Sequence, residues 1–269
     1  MRPRHILPLL LILNACESKK TEPLAQAAPG LQEISSPEVK APKTDIKSSV
    51  MRINSTQQSW NPGQPWEKNP PSQRRALAAI VAPQRVITTA ELVADATYLE
   101  FESPDGIRFA QAKVIAVDYE ANLALLGPVS EKEGNTLFEG TTPLALTAPP
   151  KIGQTLEMLQ IEDNGLPLLT PGTLQSIDVT SNFLPGHGFL TYLVKASMQS
   201  AASSYSLPVL QDGQLAGVLI SYNSKDQISE VASTDIIARF LKESADGDYK
   251  GFPSLGISIA RTEDNSFRQ

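Results

Sequence analysis

From Ser49 onward the chain alternates between short apolar runs and turn residues. The first runs are SVMRI (49–53), ALAAIVA (76–82), RVITTA (85–90), TYLEF (97–101), FAQAKVIAVD (109–118), NLALL (122–126) and PLAL (143–146). TLEMLQI (155–161), GTLQSIDVT (172–180), LTYLVKA (190–196), LPVLQDGQLAGVLISY (207–222) and QISEVA (227–232) follow. Short runs of this kind, regularly spaced between turn residues, read as β-strands. They number about a dozen, enough to close two small barrels, so the expected class is all-β. PDG at 104–106 and QDGQ at 211–214 are tight-turn signals that join consecutive strands into hairpins. One segment has a helical period instead. In STDIIARFLKES (233–244), Ser233 or Thr234 can cap, and Ile236, Ile237, Phe240 and Leu241 fall on one face.

The first 47 residues have a different pattern. Arg2 and Arg4 precede ILPLLLIL, an apolar run too short to span a bilayer but of the length of a signal-peptide core. Leu13 to Cys16, LNAC, resembles the lipobox of bacterial lipoproteins, although Asn14 departs from its commonest residues. That resemblance implies a signal peptide over 1–16 and lipidation of Cys16. The alternative is a secretory signal with an incidental cysteine. Cys16 is the sole cysteine, so no internal disulfide is available. Each buried methylene of an acyl chain contributes about 0.8 kcal/mol, so several chains anchor a protein stably. Residues 17–47 are rich in Pro, Ser, Lys, Glu and Ala and contain no aromatic residue. Such a segment cannot bury enough apolar surface to offset its ordering entropy and reads as a disordered linker. The expected location is the bacterial cell envelope. Glu17 stands where an aspartate would signal inner-membrane retention, which points to the outer membrane, facing periplasm or surface.

Composition narrows the chemistry. The 269 residues are 41% hydrophobic and 19% charged, as in an ordinary globular protein. A net charge of -6 leaves no basic footprint for nucleic acid. A Gly-rich phosphate loop, a Cys/His cluster and calcium-loop spacing in DYEAN (118–122) are all missing, so no cofactor and no metal are expected.

Three segments, in order, resemble the trypsin-like serine proteases of the HtrA type: TTAELV (88–93), DYEANLALL (118–126) and SSYSLPVLQDGQLAGVLI (203–220). In that family the corresponding stretches carry TNAHVV, DLALL and GNSGGP. The resemblance covers residues 48–245. It implies two six-stranded antiparallel β-barrels of the chymotrypsin/trypsin type with a C-terminal helix.

The same resemblance places Glu91 at the general-base histidine, Asn122 at the aspartate and Tyr205 at the nucleophilic serine. Ser203 stands at the glycine that lends its N–H to the oxyanion hole, and Ser206 and Leu207 replace the following small residues. A serine hydroxyl attacks only when an imidazole takes its proton and a carboxylate steadies that imidazole. Glutamate is a weaker base than histidine by about two pKa units, and asparagine cannot neutralise a cation. One lost oxyanion donor costs roughly 100- to 1000-fold in rate. The degenerate positions therefore imply a domain that binds rather than cuts, with Tyr205, Ser206 and Glu91 lining a ligand cleft.

Histidine occurs twice, and His5 lies in the segment expected to be removed. His187, in FLPGHGFL, is then the imidazole left to a Ser–His enzyme, working with Ser203, Ser204 or Ser206. The bland reading is a surface loop. Glu91 and Glu120 could likewise form a carboxylate pair or simply belong to a charged surface.

After the helix, residues 246–269 contain GFPSLGI (251–257), which resembles the linker and first strand of a peptide-binding PDZ domain. A disordered tail is the alternative, and LGISIA (255–260) could also add to its own sheet or to another chain's edge. HtrA-type relatives assemble as trimers through N-terminal aromatic residues. Trp60 and Trp66 could serve such a homo-oligomer, or pack onto their own barrel as expected here. Three functions stand side by side: an inactive, membrane-anchored domain binding proteins or extended peptides; an active endopeptidase with a rearranged site; and a structural envelope lipoprotein.

Overall fold

A computed structural model describes residues 46–162, 164–181, 183–184, 186–198, 206–253, 257 and 266. The first described turn is a 3-10 helix at Ile46–Ser49, and its Ile46 is already buried in the core. Packing therefore begins slightly before the expected boundary at residue 48. Strand β1 (Val50–Gln57) leads into a small hairpin of β2 (Trp60–Asn61) and β3 (Gln64–Lys68). Then come β4 (Ser72–Ala82), β5 (Arg85–Thr88), helix α1 (Ala90–Val93), β6 (Ala96–Glu102), β7 (Phe109–Asp118) and β8 (Leu123–Pro128). Six of these strands close a barrel in the order β1-β4-β5-β8-β7-β6, with antiparallel neighbours.

After helix α2 (Glu131–Leu137) the second barrel is built from β9 (Thr155–Ile161), β10 (Pro167–Ser181), β11 (Gly188–Ala196), β12 (Pro208–Gln211), β13 (Gln214–Asn223) and β14 (Ile228–Ser233). Its order is β10-β11-β14-β13-β12-β9, again antiparallel. Helix α3 (Thr234–Glu243) follows. The expected fold of two six-stranded antiparallel barrels with a C-terminal helix is the observed one.

Successive side chains of a strand point to opposite faces, and both faces of β1 are used. Met51 and Ile53 pack with Ala76, Ala78 and Ile80 inside the first barrel. Val50 packs with Leu77, Ala79 and Ile87 into a larger core shared with Leu156, Met158, Tyr192 and Val218 of the second barrel. The two barrels thus meet across a continuous apolar seam. A polar cluster sits beside it. Glu102, buried at 5% exposure, accepts from Asn54 Nδ2 at 2.9 Å and from Arg75, and pairs with Arg52 at 3.4 Å. Arg52 also donates to the Glu162 carbonyl at 2.8 Å, tying the first barrel to the end of β9.

The β12–β13 turn has positive φ at Asp212 (51°) and Gly213 (79°), as two-residue hairpin turns require. Neither expected residue caps α3 through its side chain: Ser233 occupies the N-cap without a side-chain cap bond, and the Thr234 hydroxyl donates to the Ala216 carbonyl at 2.6 Å. Ile237 and Phe240 of α3 are fully buried, while Ile236 and Leu241 are partly buried against the same core.

Several expectations change. PLAL is not a strand: within 143–146 only Leu146 makes an isolated parallel bridge, to Leu215. Helices α1 and α2 and the β2–β3 hairpin were not expected. Trp60 and Trp66 do not pack on the barrel. The separate hairpin lifts them off it, leaving them 57% and 76% exposed, with the Lys68 ammonium 4.9 Å from the Trp60 ring centroid. The chain beyond α3 is not a free linker as far as Phe252, since Tyr249 and Phe252 are partly buried against the shared core. The lipobox with Cys16, the linker up to residue 45 and most of LGISIA lie outside the described residues.

Candidate functional site

Strand β5 ends at Thr88, and Thr89 adopts the extended conformation of an N-cap (φ -83°, ψ 147°) for the one-turn helix α1. The turn ends at Asp95, whose φ of 53° redirects the chain into β6. A helix this short leaves its last carbonyls without intrahelical partners. Gln57 of β1 meets that need: its Nε2 donates to the carbonyls of Glu91 and Leu92, both at 2.9 Å.

Asn122 lies in the turn between β7 and β8, 1% exposed and with φ 54°. Asparagine tolerates the left-handed region better than most residues. Its Oδ1 accepts from the backbone N–H of Glu91 at 3.0 Å. The turn is fixed at its start by Asp118, whose Oδ1 accepts from the Ala121 N–H at 2.8 Å and whose Oδ2 accepts from the Tyr249 hydroxyl. Glu91 and Asn122, distant in sequence, are thereby brought together. The contact uses the Glu91 backbone. Its carboxylate turns away to Arg74 of β4, with Nη1 to Oε1 at 2.6 Å.

Ser206 approaches from the second barrel. It is 1% exposed, has φ 60°, and donates its N–H to the Leu219 carbonyl at 3.0 Å. Its hydroxyl lies 2.5 Å from Thr88 Oγ1 and accepts from the Thr89 N–H at 3.1 Å. The serine clasps the end of β5 across the junction of the barrels. No sequence signal announced this bond, because its partners lie 118 and 117 residues away. Tyr205, Ser203 and Ser204 lie outside the described residues.

His187 is half-exposed, and its Nδ1 lies 3.3 Å from Glu120 Oε2. Next to it, Tyr119 and Phe183 form a tilted aromatic contact with centroids 6.2 Å apart. The suggested partnership of His187 with Ser206 is not formed, since the serine hydroxyl is engaged by Thr88 and Thr89. Nor are Glu91 and Glu120 a carboxylate pair: the first goes to Arg74 and the second to His187. Each acid has its own nitrogen partner, which costs less than bringing two like charges together. Among the described residues, no group of three or more His, Cys, Asp or Glu is placed to hold a metal ion, and no helix is long and apolar enough to cross a membrane.

No protein-family profile matches the chain. Curated relatives are found, however. Protease Do-like 4, mitochondrial, of Arabidopsis thaliana is 24% identical over 208 residues, covering 76% of this chain and 39% of that protein. Putative protease Do-like 3, mitochondrial, of the same plant is 23% identical over 261 residues, covering 94% of this chain and 46% of that protein. The chain is a homologue of the HtrA/Do-like proteases. It spans less than half the length of these relatives.

Solved protease structures agree with the barrels. The active form of the Rv3671c protease from M. tuberculosis aligns with a TM-score of 0.57 at 20% identity, covering 73% of this chain and 81% of that one. The HtrA-type protease AlgW, solved with a decapeptide, aligns with a TM-score of 0.55 at 14% identity over 74% of this chain and 65% of that one. At these identities the likeness carries the trypsin-like, HtrA-type fold alone. In this two-barrel domain, α1 and the β7–β8 turn come from the first barrel and Ser206 from the second. Their meeting is the candidate site.

Proposed function

We propose that this HtrA-like domain binds extended peptides or proteins at the junction of its barrels and does not hydrolyse them. The observation that carries the reading is the commitment of the described polar groups. The Glu91 carboxylate is held by Arg74, the Asn122 carbonyl oxygen by the Glu91 N–H, and the Ser206 hydroxyl by Thr88 and Thr89. The imidazole of His187 is paired with Glu120 rather than with a described hydroxyl. Nucleophilic attack by a hydroxyl needs a base within hydrogen-bond reach, and these groups supply none for Ser206. Peptide binding draws support from AlgW, an HtrA-type neighbour solved with a decapeptide.

In the same proposal Cys16 carries lipid, residues 17–45 tether the domain, and the protein faces periplasm or surface at a bacterial outer membrane. We assign Tyr205, Ser206 and Glu91 to the ligand cleft, count Asn122 and Ser203 among the altered positions, and invoke no cofactor.

The test uses the folded chain with two probes. A fluorophosphonate labels activated serines, and unfolded casein reports both binding and cleavage. We expect casein to bind without being cut and no serine to be labelled. Labelling of Ser203, Ser204 or Ser206 together with casein cleavage would overturn the proposal in favour of an active endopeptidase.

A further inference from the structure

The segment after α3 reaches back to the candidate site through an unbroken run of hydrogen bonds. Tyr249 stacks edge-on against Phe240 of α3, with centroids 5.0 Å apart and planes at 75°. Its hydroxyl donates to Asp118 Oδ2 at the end of β7, 131 residues earlier in the chain. The other oxygen of Asp118 accepts from the Ala121 N–H at 2.8 Å, which closes the turn that presents Asn122. Asn122 in turn accepts from the Glu91 N–H at 3.0 Å.

We propose that Tyr249 and Asp118 are positioning residues for the Asn122–Glu91 corner, so that docking of the segment after α3 sets how rigidly the first-barrel wall of the site is held. This rests on reading that corner as part of a ligand site.

Three features favour a specific brace over incidental packing. Asp118 is 6% exposed, so its carboxylate has lost most of its water and depends on the donors it is given. Among the described residues neither oxygen is spent on a cation: one holds the turn and the other holds the tyrosine. Burial first, then the hydrogen bond to Asp118 and its charge, push the Tyr249 hydroxyl well above the ordinary phenol range, so it remains a donor at any physiological pH. The segment has a second anchor beyond Tyr249. Phe252 packs edge-on against Phe189 of β11 with centroids 5.1 Å apart, and the Arg239 guanidinium lies 5.3 Å from the same ring. Because the segment grips α3, β11 and the β7–β8 turn at once, a load on residues beyond Phe252 would be felt at Asn122. Coupling of this kind travels through contiguous bonded elements.

Tyr249→Phe in the full chain is the decisive variant, because it removes the hydroxyl while keeping the ring against Phe240. Asp118→Ala serves as the second, since it removes the acceptor that the Tyr249 hydroxyl and the Ala121 N–H share, whereas an asparagine amide could donate back to the tyrosine oxygen. Amide hydrogen exchange is then followed residue by residue by NMR. We expect exchange to accelerate about tenfold at Ala121, Asn122 and Glu91 in both variants, with β13 and α3 unchanged. The double variant should show no further acceleration over the Asp118 variant, because Tyr249 acts on the turn through that carboxylate. Acceleration confined to residues 245–253, or equal throughout both barrels, would overturn the proposal. Casein binding by the unaltered chain is measured in parallel: its absence would sink the ligand-site reading while leaving the exchange result to decide the brace.

Discussion

Two glutamates on neighbouring stretches of the first barrel meet arginines in opposite circumstances. Glu102 is buried among Arg52, Arg75 and Asn54, with side-chain exposures of 7% for the acid and 9% for Arg52. Glu91 holds Arg74 at the surface, where the exposures are 28% and 45%. A buried pair becomes costly when one member is removed, because the other charge is stranded. An exposed pair is screened by water and salt. The same two residue types therefore serve the fold in one place and mark a site in the other. Glu91 matters to its surroundings through its backbone, which Asn122 and Gln57 hold, and its carboxylate is the replaceable part.

The sharpest way to break that contrast is Glu102→Ala. It should cost about 3–5 kcal/mol by stranding Arg52, lowering the thermal midpoint by roughly 10 °C. A loss no larger than that of a surface residue would show that Arg52 finds enough compensation in the Glu162 carbonyl. Next comes Asn122→Ala, which removes the acceptor for the Glu91 N–H and places alanine in the left-handed region. We expect about 2 kcal/mol in urea unfolding, with the slope unchanged. Glu91→Gln should have the smallest effect, below about 1 kcal/mol, and the difference should fade as salt is raised. If the order of the last two were reversed, the carboxylate rather than the backbone would be the structural element at position 91.

Much of the fold was legible because it rests on local patterns. Apolar runs between turn residues placed both barrels, QDGQ gave the β12–β13 turn, and the spacing of Ile237 and Phe240 gave the buried face of α3. Helix α2 was missed although Ser130 and Glu133 form a cap signal, with the Glu133 N–H 3.4 Å from the Ser130 hydroxyl. Gly134 in its middle obscured the pattern. A Cβ there would come within 2.5 Å of Pro128 Cγ, so glycine is present for close approach rather than for helix propensity. PLAL misled in the opposite sense: its backbone bonds are divided between Ile80 on one side and Leu215 on the other, so it makes a single bridge and no ladder.

The candidate site was legible only in outline. Glu91 and Asn122 stood out through their places in a family resemblance, and the structure brings them together by a backbone bond that residue types do not announce. Arg74, Thr88 and Thr89 gave no signal, because their roles arise where distant strands converge. Tyr249 is a further step removed, since the segment holding it reads as linker and its partner lies 131 residues back.

The hairpin of β2 and β3 has an optical consequence. It contains both indoles of the chain, and each is bathed in solvent. Tryptophan emission should therefore hardly notice the melting of either barrel, yet respond at once to whatever settles on that hairpin.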